Sequence, residues 1–218
     1  FVLLKMSMVW HGAVLTEAAL DRLQEPDYCF GKLEPFGISF GGRPADKVMP
    51  GGILLRDATF VYINYGENYR DPYQIDWDAG RGEFLLKEGE DVIDTVDFVP
   101  RPQFFGKTTS RGTPMEAVAE ARAQKLILTA YQKCRLWEGG KQCHFCAFFT
   151  GGHSLGEVDC EDVYETVREA LKEPGRFSEI YLSGGTDFGG EPPFSREVER
   201  YIRVLQAIGR NFSGRFSS

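Results

Sequence analysis

Three cysteines fall within 13 residues of this 218-residue chain, in the segment Cys134-Arg-Leu-Trp-Glu-Gly-Gly-Lys-Gln-Cys143-His-Phe-Cys146. The two-residue gap between Cys143 and Cys146 lets two thiolates meet one metal centre. Gly139-Gly140 allows the preceding loop to turn sharply, so that Cys134 can fold back to the same centre. Soft thiolates select zinc, copper(I) or iron–sulfur clusters. Several uses compete. Structural zinc needs a closed set of four ligands, the fourth here being His144, His153 or Cys160. His144, between two ligands, would strain the loop, whereas His153 has room to reach. A redox dithiol would leave Cys134 without a role and lacks a thioredoxin-like context. Cysteines packed as small apolar residues sit poorly beside glycines and Lys141-Gln142. A [4Fe–4S] cluster usually takes four cysteines, so three would leave one iron open to an exchangeable ligand.

The elements around this segment alternate. Thr113-Pro114-Met115-Glu116 has the pattern of a capping box, with helix expected over Glu116–Gln124. Lys125–Tyr131 (KLILTAY) has the composition of a buried parallel strand and runs into Cys134. Asp159 is placed to cap a helix through Lys172, with Val163, Val167, Ala170 and Leu171 on one face and Pro174-Gly175 as its stop. Phe177–Leu182 is a second strand, ending in Ser183-Gly184-Gly185-Thr186. Ser195 then caps a helix with Val198, Tyr201, Ile202, Leu205 and Ile208 on one side. Such alternation predicts βαβ units and a parallel sheet, with the cysteine and glycine loops at the carboxyl ends of its strands, where such sheets place their chemistry.

With these motifs in view, the segment resembles the cluster loop of radical SAM enzymes. In that family three cysteines follow the first barrel strand, the last two separated by two residues of which the second is usually aromatic, here Cys143-His144-Phe145-Cys146. The resemblance implies a [4Fe–4S] cluster on Cys134, Cys143 and Cys146, Phe145 near the adenine of S-adenosylmethionine, and Ser183, Gly184, Gly185 and Thr186 as the turn that contacts the methionine amino group. It also implies reductive cleavage of that cofactor, with a 5′-deoxyadenosyl radical taking a hydrogen atom from a substrate the sequence does not name. An electron donor such as ferredoxin or flavodoxin, a cytoplasmic location and sensitivity to oxygen are further expectations. Two departures stand out: the first gap is eight residues where three is common, and Thr186 replaces the family's glutamate. The match covers about Lys125–Arg210, two strands of a barrel that has six or more. The fold expected is therefore α/β: a partial (β/α) barrel of radical SAM type over residues 113–218, truncated at its C-terminus, after a mainly β accessory region over residues 1–112.

Within that first region, Ile53–Tyr65 is rich in β-branched and aromatic residues with a break at Arg56-Asp57, Glu83–Lys87 and Val92–Val99 form a candidate hairpin, and Thr16–Leu23 a short helix. The opening FVLLKMSMVWH lacks a signal-peptide cleavage site and is expected as a buried strand or helix; Phe1 at one end and the stop after GRFSS at the other suggest cut ends. Five cysteines in an acidic chain argue against a disulfide framework. A formal net charge of −7 gives no basis for a nucleic-acid surface, and no apolar run approaches the roughly 18 residues of a membrane span. Other residues have open roles: Asp187 and Glu191 as ribose contacts or loop carboxylates, Arg135 and Lys141 as neighbours that ease thiolate charge, His153 as a proton donor or a solvated side chain, and Cys160 and Cys29 as packing or free thiols. Gly189-Gly190-Glu191 is a second glycine motif, and Phe104-Phe105 and Phe148-Phe149 are expected in the core.

Overall fold

The computed structural model describes residues 1–25, 50–63, 70–131, 133–144, 156–212 and 214. The chain divides into two units, Phe1–Arg101 and Pro102–Ser218, each with its own apolar core.

The first unit is built on six strands: β1 (Ala13–Leu15), β2 (Gly52–Leu55), β3 (Phe60–Tyr62), β4 (Tyr73–Asp78), β5 (Glu83–Glu88) and β6 (Asp91–Phe98). Their order is β1-β4-β5-β6-β2-β3, antiparallel except for the β1/β4 pair. The expected break in the apolar run is the β2–β3 turn, where Ala58 takes φ 64°. The expected hairpin is β5–β6, turned at Gly89, whose φ of 60° suits a residue without Cβ. Ile53, Val61, Ile75 and Leu86 are fully buried, and the Phe84 ring meets Phe98 edge-on with centroids 4.9 Å apart. Helix α2 (Glu17–Gln24) starts where expected. The Thr16 oxygen accepts from the Ala19 amide at 3.2 Å, and its hydroxyl donates to Asp76 at 2.6 Å. Helix α1 (Val2–His11) departs from expectation because it is mostly exposed, with Leu3 at 81% and Trp10 at 79%. Its apolar contribution to the core is Leu4 and Met8, one turn apart, with Ser7 and His11 against Tyr73, while Phe1, Val2, Leu3, Met6, Val9 and Trp10 are exposed.

In the second unit, helix α3 (Met115–Val118) is a single turn, not a helix to residue 124. No capping box forms. The Thr113 hydroxyl donates to Asp162 at 2.8 Å, and the Glu116 carboxylate accepts from the Gly106 amide at 2.8 Å. From Ala119 the chain becomes strand β7 (Ala119–Arg122), antiparallel to β8 (Lys125–Tyr131). Ala119 and Ala121 point to the core while Glu120 and Arg122 do not. This period-two pattern prevails over alanine's helix preference because pairing with β8 satisfies the backbone and buries the small side chains. Helix α4 (Arg135–Glu138) follows the first cysteine. Helix α5 (Cys160–Ala170) then carries the chain to β9 (Glu179–Gly184), parallel to β8 with Leu126 opposite Ile180 and Leu128 opposite Leu182. Asp159 caps α5 as expected, accepting from the Glu161 amide at 2.8 Å. In α6 (Ser195–Phe212), Tyr201, Val204 and Ile208 pack inward, whereas Val198, Ile202 and Leu205 are exposed. The apolar set is wider than the one stripe a neighbour covers.

The boundary between units lies before Pro102, eleven residues ahead of the expected one, because the segment before α3 is bound to α5. Phe104 is fully buried in the second core beside Phe177. Asp162 also accepts from the Thr109 hydroxyl at 2.7 Å, Glu165 from the amide and hydroxyl of Ser110, and Glu169 from Lys107 at 2.8 Å. These three carboxylates share a helix face by their spacing of three and four. Hydrogen bonds from Ser110 hold the Glu165 carboxyl below its usual range, and those from Lys107 and then Lys172 do the same for Glu169. A lowered carboxyl contributes stability above its ordinary pKa and loses it as pH falls through the folded value. The second unit should therefore melt at lower temperature when taken from neutral pH to below about 4.5. A Glu165→Gln/Glu169→Gln variant, followed by calorimetry, should show a smaller fall.

Candidate functional site

The carboxyl ends of β8 and β9 lie side by side, so the two loops that leave them meet. The Gly185 amide donates to the Tyr131 carbonyl at 2.9 Å, and the Arg135 amide donates to the Thr186 carbonyl at 2.9 Å. Between these bonds the backbones touch. A Cβ on Gly185 would stand 1.9 Å from the Lys133 carbonyl oxygen and 2.7 Å from the Cys134 Cβ. Gly185 is thus required by a close approach of main chains. Gly184 has more room, its nearest obstacle being the Tyr201 hydroxyl at 3.0 Å from a would-be Cβ.

Beneath the contact lies a buried ion pair. Asp187, 1% exposed, accepts from Arg200 at 2.7 Å and from the Gly189 amide at 2.9 Å. Its own amide donates to Glu197 at 2.7 Å. The Arg200 guanidinium lies 4.1 Å from the centre of the Tyr131 ring, at the end of β8, with Nε 3.3 Å from Glu157. On the other side, Arg135 Nε is 3.8 Å from the Asp187 carboxylate, and the same guanidinium donates to Glu138 at 2.9 Å. The hydrogen bond from Arg200, then that from the Gly189 amide, holds the Asp187 carboxyl below the usual range, so it is a carboxylate at neutral pH. With its oxygens turned to Arg200 and Gly189, Asp187 is occupied as a structural anion and is not displayed as a ribose contact.

Of the expected metal ligands, Cys134 is 9% exposed beside Gly185, and Cys143 is exposed at the far end of the loop. Cys146 and Phe145 lie outside the described residues, as do His153 and Phe148-Phe149. Ser183, Gly184 and Thr186 are half-buried around the turn, and Gly185 is buried. Among the described residues, no group of three or more His, Cys, Asp or Glu side chains gathers to hold a metal ion. Thiolates are the donor type that iron–sulfur clusters and zinc both take; Arg135 follows Cys134 but its guanidinium is given to Glu138 and Asp187, and Lys141 lies two residues before Cys143. Gly189-Gly190 folds against the start of α6, where the Arg196 amide donates to the Gly189 carbonyl at 3.2 Å and Gly190 takes φ 105°. It does not face the cysteine loop's contact with Gly185. Cys160 begins α5, and burial pushes its thiol up. Tyr201 was expected on the apolar side of α6 and packs there, whereas Arg200 and Glu197 were not foreseen. Their signal was a charged residue inside an apolar helical stripe, between Glu197 and Val204.

The packing yields a contrast between two glycines. Gly185→Ala should destabilise the second unit by about 3 kcal/mol or more, since the obstacle is backbone and cannot rotate away. Gly209→Ala, in open space within α6, should stabilise by about 0.5–1 kcal/mol. Urea unfolding of both variants checks the pair.

No protein-family model, curated protein or solved structure matches this chain.

Proposed function

We propose that this chain binds a [4Fe–4S] cluster through Cys134, Cys143 and Cys146 and uses it to cleave S-adenosylmethionine reductively, as a radical SAM enzyme acting on an organic substrate. The observation that supports this most is the contact of Cys134 with Gly185 at the ends of neighbouring parallel strands. A cysteine and a backbone turn meet at the edge where sheets of this kind place their ligands. The β8–α5–β9 unit has the strand–helix–strand order of a (β/α) barrel, the fold this reading carries with it.

When bound, the cluster would supply the electron for carbon–sulfur cleavage. The chain's own residues orient and shield. The Gly185 amide and the Thr186 carbonyl are engaged within the protein. In this reading, recognition of the methionine ammonium therefore falls to carbonyls of Ser183, Gly184 and Gly185 and to the Thr186 hydroxyl. Phe145 would pack on the adenine, as the resemblance implies. Lys141 would ease thiolate charge, and an electron donor such as ferredoxin or flavodoxin would deliver the electron. Asp187 holds the turn from behind and takes no part in ribose recognition.

Anaerobically prepared, dithionite-reduced protein should give a [4Fe–4S]⁺ paramagnetic resonance signal that changes on adding S-adenosylmethionine. Cys146→Ala should lose iron and sulfide. A signal indifferent to the cofactor would point to electron transfer or sensing, and stoichiometric zinc in place of iron would overturn the proposal.

A further inference from the structure

We infer that Asp187 is a positioning residue that sets where Cys134 and the glycine turn stand relative to each other; its consequence for cofactor binding rests on the function proposed above. The carboxylate has partners on both sides of the junction. One oxygen accepts from the Gly189 amide, fixing the far end of the turn, and the other accepts from Arg200. Arg200 in turn lies over Tyr131, the last residue of β8. Arg135, directly after Cys134, approaches the same carboxylate at 3.8 Å and is also tied through its amide to Thr186. The charges therefore run Arg200, Asp187, Arg135 from the helix beneath to the cysteine loop above.

A neutral side chain at 187 would keep the shape but remove one of the two carboxylates that Arg200 meets, leaving it Glu157, which it shares with Arg203, and the Tyr131 ring. Arg200 is 7% exposed, and weakening the pairing of a buried charge is costly. The cheapest relief is for the turn to swing out and admit water, and because Gly185 is wedged against Lys133 and Cys134, the cysteine loop must move with it. The effect belongs to the junction: α5 is held to residues 103–113 by a separate set of carboxylates. Cys160, at the head of α5, is the second thiol followed; because Glu157 and Arg203 lie near it, thermal melting of each variant is the check on general unfolding.

The test compares Asp187→Asn with wild type in two arms on the full chain. In the metal-free, reduced protein, alkylation by a small maleimide is followed at Cys134 and Cys160 by mass spectrometry. The expected result is labelling of Cys134 faster by about tenfold or more, with Cys160 changed little, as local opening demands. Labelling of both thiols to the same extent would mean general unfolding, and labelling of neither would mean no positioning role; either overturns the inference. Should Asp187→Asn fail to fold, Arg200→Lys, which keeps the charge but loses the flat contact with Tyr131, is expected to show the same selective rise in smaller measure. In the second arm both proteins are reconstituted with iron and sulfide. Asp187→Asn is expected to retain its iron while the S-adenosylmethionine concentration that half-changes the paramagnetic signal rises about tenfold. An unchanged concentration would overturn the cofactor-binding consequence. A wild type that takes up no cluster would overturn the proposed function, leaving the alkylation arm to decide the role of Asp187.

Discussion

The carbonyl of Lys133 occupies the space in which any side chain at position 185 would begin. That close approach follows from pairing β8 and β9 in parallel and then sending both chains out over the same edge of the sheet. In a parallel ladder neighbouring carboxyl ends lie together, so their loops must either diverge or touch. Here they touch, and the contact is closed by reciprocal main-chain bonds from Gly185 to Tyr131 and from Arg135 to Thr186. Cys134 has its buried position because of this junction.

The junction stands on a charged foundation. Burying Arg200 and Asp187 together costs desolvation that their attraction offsets only when other polar atoms are also satisfied. The Gly189 amide, Glu197, Glu157 and the Tyr131 ring supply those partners. An apolar pair could fill the same volume, but it would not fix the turn's amides in direction.

The two units solve their packing differently. The first buries alternating residues of a mostly antiparallel sheet, and one helix is capped onto it by Thr16 and Asp76. The second covers its three-stranded sheet with α5 and α6, and it binds residues 103–113 by a row of helix carboxylates. That row draws the N-terminal boundary of the second unit back to Pro102.

Much of this was legible in the residues. KLILTAY has the composition of a buried strand, and β8 has the bounds expected of it. Asp159 and Thr16 are caps because their short oxygens reach backbone amides two and three residues on, a local matter. The break at Arg56-Asp57 and the turn at Gly89 were readable for the same reason. The helix expected over Glu116–Gln124 failed where a local preference met a distant partner: AEAR alternates, and β8 was available to pair with it. The apolar N-terminal segment likewise gave its helix but not its exposure, because burial depends on what packs against it. The sequence alone determined which thiols and glycines are available and that they follow strands. Only the tertiary structure decided that Cys134 lies against Gly185, and that Asp187 faces inward to Arg200 instead of outward to a ligand. The first joins residues 51 apart and the second residues 13 apart across a turn and a helix, and no local propensity encodes either approach.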